Sequence, residues 1–176
     1  RRDLDFDAVE LLNGPSMIRY YRTRADWFSL LLQGEFRTAT ANSDSHRVGQ
    51  VLGLPRNYVK LTDDAPRSFD EAGFVRAVGE GRVYGTTGPL LEVGLGDAGL
   101  GERFRGRSGT LRVEVEAAHW VPVSTVRVYV NGALKRENSI LAGETREVDL
   151  EFAEDSFVTV EVEGEANAIF EAVNPG

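Results

Sequence analysis

The residues most suited to chemistry are Asp44 and His46, separated by Ser45 in the polar run Asn42–His46 (NSDSH). A carboxylate and an imidazole two residues apart on a loop can face one pocket, and both are ligands for zinc, manganese or iron. A cation held there lowers the pKa of bound water and so supplies hydroxide at neutral pH. An Asp-x-His triplet also arises readily by chance, so spacing alone is a weak signal. Glu10 is a second candidate, at an outward position of an apolar strand. It either reaches the same pocket or pairs with an arginine. Arg47 and Arg56 follow the triplet and have the forked geometry that clamps a phosphate, although surface arginine is the commoner role. Asn42, Ser43 and Ser45 read as turn formers. Nothing supports serine catalysis, which needs a base oriented by a third group.

These residues need elements to position them. Residues 5–12 (DFDAVELL) read as a short, mostly buried strand closed by Asn13-Gly14-Pro15. A helix follows, with Thr23 and Asp26 as a capping pair, Trp27, Leu30 and Leu31 on one face, and Gly34 as its stop. Residues 36–41 (FRTATA) form a second strand leading straight into the Asp-x-His loop. Strand, helix, strand implies a parallel pair, and chemistry on such sheets sits at the carboxyl ends of the strands. Residues 57–61 are extended, Ser68 and Glu71 suggest a capping box for a helix through Glu80, and Gly81 suits its C-terminal cap. Residues 83–95 are extended again, interrupted at Gly88-Pro89.

The period then becomes two. Leu111, Val113 and Val115, then Val126, Val128 and Val130, then Val148, Leu150 and Phe152, then Val158, Val160 and Val162 alternate with polar residues. Asn131-Gly132 is a strong hairpin signal. Such two-faced strands imply an antiparallel β-sandwich. The expected organisation is α/β followed by all-β, with residues 1–98 as the first part, 99–109 as a glycine-rich connection and 110–176 as the sandwich.

Charge supports the division. Of the net −8, residues 1–107 contribute nothing, with 15 basic and 15 acidic residues, whereas residues 108–176 hold 5 and 13. That acidic surface argues against a nucleic-acid partner for the second part. No apolar run approaches the roughly 18 residues of a membrane span, so the chain reads as soluble with no membrane partner. It has no cysteine and no signal-peptide pattern, which excludes disulfides but leaves the compartment open. Both ends read as cut, as in a fragment of a longer polypeptide. His119-Trp120, at a strand end, suits either stacking on a sugar ring or edge packing. The glycines at 94–109 lack the following helix and the lysine of a phosphate-cradling loop.

Several runs together resemble a known family. They are Asp5–Gly14 (DFDAVELLNG), Trp27 with Leu30–Gly34 (LLLQG), Thr40–His46 (TANSDSH), Gly53–Val59 (GLPRNYV) and Ala77–Pro89 (AVGEGRVYGTTGP). In order and spacing they resemble the closing segment of PHP (polymerase and histidinol phosphatase) domains, in the branch that includes carbaryl hydrolase-like proteins. Residues 172–175 (AVNP) resemble the last strand of the sandwich that often follows in that branch. The resemblance implies the C-terminal portion of a distorted seven-stranded β/α barrel. In the family, two or three divalent metals (Zn, Mn or Fe) at the carboxyl-end face activate water against a small phosphoester or related ester. It implies that Asp44 and His46 are the final metal ligands. The family's earlier His-x-His has no counterpart here, so the chain by itself is expected to lack most ligands, to be inactive, and to hold metal only in an intact parent. Exposed barrel edges are expected to favour self-association. The competing expectation is a non-catalytic binding or structural module in which the sandwich does the recognising.

Overall fold

The structure, a computed structural model, describes residues 4–14, 17–63 and 65–165. The chain opens with β1 (Ala8–Asn13), α1 (Met17–Leu32) and β2 (Thr38–Asn42), and β1 and β2 pair in parallel from Ala8↔Thr38 to Asn13↔Asn42. This is the expected strand–helix–strand unit. The helix differs at its start. It begins by Met17, so Thr23 lies inside it and its hydroxyl donates to the Arg19 carbonyl one turn back instead of capping. No glycine or proline interrupts Met17–Leu32, so the helix runs through the Thr23–Asp26 pair. Its end is as expected: Gly34 adopts φ +77° and its N–H donates to Leu31 O. Trp27 Nε1–H donates to Arg37 O at 2.7 Å, fastening the helix to the entry of β2.

The next elements are β3 (Arg56–Val59), a 3₁₀ turn at Pro66–Ser68, α2 (Glu71–Gly79) and β4 (Val83–Thr86), with β3 and β4 antiparallel. Ser68 does not cap α2; its hydroxyl donates to the Asp63 carboxylate at 2.7 Å, and Asp70 occupies the capping position without a side-chain hydrogen bond. The 3₁₀ turn begun by Pro66 sets Ser68 off the helix axis. Hydrogen bonds from Ala65 N–H and Ser68 hold the Asp63 carboxyl below the usual carboxylate range. Gly81 is the expected C-terminal cap, with φ +77° and its N–H on Val78 O.

β4 lies against β2 and runs the same way. The Phe36 ring packs on Gly81, Thr38 Oγ1–H donates to Val78 O at 2.6 Å, and a methyl added at Gly85 would fall 2.4 Å from Ala41 Cβ. Phe36, just before β2, thus meets Gly81, just before β4, and Ala41 within β2 meets Gly85 within β4, while Thr38 holds the end of α2. The Asn57 side chain completes the join. Its Nδ2 donates to Ala41 O and its Oδ1 accepts from Ala41 N–H, so one amide stands in for a neighbouring strand's peptide group. The carboxyl ends of β1, β2 and β4, at Asn13, Asn42 and Thr86, share one face. No closed barrel forms among the described residues; β1 pairs with β2 alone.

The remaining strands are β5 (Leu90–Leu95), β6 (Ala98–Gly99), β7 (Ser108–Glu116), β8 (Thr125–Val130), β9 (Ala133–Ser139), β10 (Glu144–Glu151) and β11 (Val158–Glu163). They form two antiparallel sheets, ordered β10-β7-β5-β6 and β11-β8-β9. Their apolar faces share one core, centred on Leu111, Val113, Val115, Val126, Val128 and Ile140. Asn131 and Gly132 take φ +51° and +75° at the β8–β9 turn, the left-handed pair that a two-residue hairpin needs. This unit begins earlier than the expected boundary at residue 110, because β5 pairs with β7 from Leu90↔Glu116 to Leu95↔Leu111. The glycine-rich stretch is therefore no free connection. Gly94 pairs with Gly99, and Gly96, Gly106 and Gly109 make room for the Phe104 ring. The strand expected around residues 172–175, like Pro15, lies outside the described residues.

Helix α1 joins the two units. Phe28, the buried residue of α1, packs at a tilt against the Tyr129 and Phe157 rings and lies against Gly132. Arg24 donates to both oxygens of Glu161, at 2.6 and 2.7 Å, and Tyr20 also donates to that carboxylate. Burial, then Glu161, pushes the Tyr20 hydroxyl well above its ordinary pKa. Burial opposes the charge on Arg24, but Glu161 more than offsets it and holds the guanidinium firmly protonated. No helix among the described residues is long and apolar enough to cross a membrane.

Candidate metal centre

Asp44 and His46 stand on the loop leaving β2, at the carboxyl-end face. The loop is held from within. Gln50 Oε1 accepts the backbone N–H groups of His46 and Arg47, at 2.5 and 2.8 Å, and Ser45 Oγ–H donates to Val51 O at 3.0 Å. Asp44 adopts φ +50°, a left-handed conformation that aspartate tolerates better than most residues. The turn brings the two side chains together: His46 Nε2 lies 2.7 Å from Asp44 Oδ1, with 73% and 47% of the side chains exposed. Each retains a further donor atom, Nδ1 of the imidazole and Oδ2 of the carboxylate.

Glu10 sits at the same end, at the outward position expected of it. Its partners are two asparagines: Asn42 Nδ2 donates at 2.6 Å and Asn13 Nδ2 at 2.9 Å. Asn42 in turn accepts from Asn57 Nδ2 at 3.0 Å, so Glu10, Asn13, Asn42 and Asn57 form one polar network across the strand ends. Arg56 begins β3. Its Nε–H donates to Tyr58 OH at 3.1 Å, one terminal nitrogen to Gly53 O at 3.3 Å, and the guanidinium lies over the Tyr58 ring. Tyr58 stacks on Tyr84 across the β3–β4 pair, and burial raises the Tyr84 pKa. The Arg47 side chain is exposed on the same loop as His46.

The structure thus unites Asp44 with His46 and places Glu10, Arg47 and Arg56 on elements bordering the same face. The donor chemistry suits a borderline divalent cation, but no group of three or more His, Cys, Asp or Glu positioned for a metal occurs among the described residues. Gln50 and Asn57, which organise the loop and the strand join, escape a reading that looks for ionisable side chains. Gln50, four residues from His46, carries a spacing signal; Asn57 carries none, since its role depends on β2 lying beside it. His119 and Trp120 lie apart, on the β7–β8 loop, with ring centroids 4.7 Å apart and nearly perpendicular. No family model, no curated protein and no solved structure matches the chain.

Proposed function

We propose that this chain supplies the closing part of a PHP-type β/α-barrel hydrolase, in which Asp44 and His46 are two ligands of a divalent metal centre acting on a small phosphoester or related ester. The two-sheet unit is then an accessory β-sandwich. One observation carries this reading: the pair follows directly from the second strand of a parallel strand–helix–strand unit, where α/β proteins place their chemistry. A bound Zn, Mn or Fe ion supplies an acidified water. Asp44 and His46 contribute one oxygen and one nitrogen donor once the contact between them opens. Glu10, held by Asn13 and Asn42, orders the neighbouring strand ends. Arg56, braced by Tyr58 and Gly53, is placed to bind an anionic substrate oxygen, and Arg47 is a second candidate.

Two donors do not make a tight centre. The remaining ligands therefore come from polypeptide outside these 176 residues, and this chain alone is inactive. A second reading, a non-catalytic module, gains support from the mutual satisfaction of Asp44 and His46 and from the absence of a third ligand among the described residues. Mn²⁺ titration followed by NMR separates them. Selective broadening of the His46 imidazole, lost in Asp44→Ala, supports the hydrolase. Metal content of the full-length protein unaltered by the double Asp44→Ala, His46→Ala change refutes it. The open edge of β1 and the exposed Ile18 and Leu32 of α1 support self-association of the isolated chain. A strictly monomeric species in concentrated sedimentation runs would count against that.

A further inference from the structure

The sheet unit bears two charged features that its own chain leaves unmatched. The first is the run Arg103, Arg105 and Arg107, just ahead of β7. All three are exposed, and none has a hydrogen bond or ion pair among the described residues. The run is nonetheless held in place. Phe104 is seated among Gly96, Gly106 and Gly109 against the Phe152 ring, and Arg107 O accepts the Phe152 N–H at 2.8 Å. Elsewhere in the unit, Arg112, Arg127 and Arg146 each pair with a carboxylate. Residues 108–176 hold 13 acidic residues, so three neighbouring arginines without one point to an anion from outside the chain.

The second feature is a hollow of about 220 Å³ at the far end of β7, lined by Leu90, Leu91, Glu92, Glu114 and Glu116. Glu92 and Glu114 are direct cross-strand neighbours, and like charges so placed repel. Arg112 donates to Glu114 at 2.5 Å, but the Glu92 and Glu116 side chains have no partner among the described residues. Leu90, 43% exposed, adds apolar surface beside the carboxylates. An arginine uses both, the one for its methylene stem and the other for its forked head. Row and hollow cannot meet within one chain. Seven residues of strand path, about 24 Å, separate Arg107 from Glu114, beyond the reach of a side chain.

We propose that Arg103, Arg105 and Arg107 of one copy bind the hollow of Glu92, Glu114 and Glu116 on a second copy, joining the start of one β7 to the end of another. The occupant is a second copy because the chain bears both complementary halves and neither is matched at home. A nucleic acid or an anionic membrane would instead set its own charge against the carboxylates of the unit. The net −8 does not forbid the contact. At physiological ionic strength the Debye length is about 8 Å, so charges in contact act fully while the repulsion between whole chains is screened. The contact is separate from the open edge of β1 and the apolar residues of α1, whose association does not depend on charge, and it is independent of the metal pair.

The test is sedimentation velocity of the whole chain at about 0.1 and 0.5 M NaCl, with two charge-reversed variants. One is Arg103→Glu with Arg105→Glu; the other is Glu92→Lys with Glu116→Lys. The wild type should associate at the lower salt and roughly tenfold more weakly at the higher. Each variant alone sets like charges against each other and should lose the salt-sensitive association. An equal mixture of the two should regain it, since the row and hollow of each then meet the opposite sign on the other. Recovery on mixing also shows that both variants fold. Equal association of wild type and variants at the lower salt, or no gain on mixing variants whose circular dichroism matches the wild type, overturns the contact. So does a wild type that stays monomeric at the lower salt, even one that binds an added polyglutamate peptide, which would assign the arginines to a different partner.

Discussion

The two units of the molecule bury their apolar residues to very different extents. In the two-sheet unit, Val113, Val115, Val128 and Ile140 are wholly inaccessible, and every core strand alternates apolar and polar positions. In the strand–helix unit the fully buried side chains are the small Thr38 and Pro55, and Leu11, Leu12, Ala41 and Val83 are buried less completely. Ile18 remains 73% exposed, and Leu32, Phe36, Leu52 and Val75 are also open to solvent. The two-sheet unit completes its own core; the strand–helix unit does not. Parallel strands are ordinarily covered on both faces, so the strand–helix unit shows less apolar cover than its parallel pair calls for.

The sharpest test of the contrast is truncation of matched isoleucines. Ile140→Ala, in the sealed core, should cost about 2–5 kcal/mol, whereas Ile18→Ala on α1 should cost less than about 0.5 kcal/mol, both read from urea midpoints. Comparable losses would remove the distinction between the units. Next in size is the joint between them. Glu161→Ala leaves Arg24 and Tyr20 without the carboxylate they share, at side-chain exposures of only 21% for Arg24 and 17% for Glu161. A fully buried broken pair costs more; with this residual access to water we expect about 2–3 kcal/mol. The single unfolding transition should also separate into two. A retained single transition would mean that the units couple mainly through Phe28.

The same joint gives a pH dependence. Burial and Glu161 raise the pKa of both Tyr20 and Tyr129 above the ordinary value. In the folded protein these hydroxyls stay protonated at a pH where those of the unfolded chain ionise. Their contribution is therefore fully present below about pH 10 and is lost as pH rises beyond it. Stability measured from pH 8 to 11 should fall at the alkaline end, and Tyr20→Phe should flatten the fall.

How much of this was legible in the sequence follows the same division. The period-two strands and the Asn131-Gly132 hairpin were readable because each depends on local pattern and turn chemistry alone. The parallel pair and the position of Asp44 and His46 at its end were readable from strand–helix–strand order. The sheet that β5 joins was not, because Leu90–Leu95, although read as extended, pairs with β7 only at long range. Phe28 and Ile140 escaped for a similar reason. Phe28 leaves the Trp27, Leu30, Leu31 face to meet the other unit, and Ile140 lies beyond the end of β9, outside any strand alternation. The capping pairs at Thr23 and Ser68 misled because the same residue pattern also occurs within helices and in 3₁₀ turns.

Asn57 offers a finer probe of the strand–helix unit. Its side chain supplies both partners for the Ala41 peptide N–H and C=O. Asn57→Ala should cost about 1–3 kcal/mol, because a part-buried donor and acceptor both lose their partner. Asn57→Asp should recover only one of the two bonds. Hydrogen exchange at the Ala41 amide would report the loss directly, and unchanged protection there would show that water replaces the amide without penalty.

The smallest expected effect falls on the candidate ligands. Their mutual contact is short, but both side chains are largely in water, where such a pair contributes little. Asp44→Ala and His46→Ala should each shift stability by less than about 0.5 kcal/mol. Asp44→Gly should be neutral or slightly stabilising, since glycine adopts φ +50° without the penalty that a side chain carries. A loss of more than about 1 kcal/mol in any of these would mark the pair as structural, because surface substitutions away from special features rarely cost so much. Near-neutral stability combined with loss of Mn²⁺ broadening at His46 would instead mean that two residues held on an ordered loop in a left-handed turn serve a ligand and not the fold.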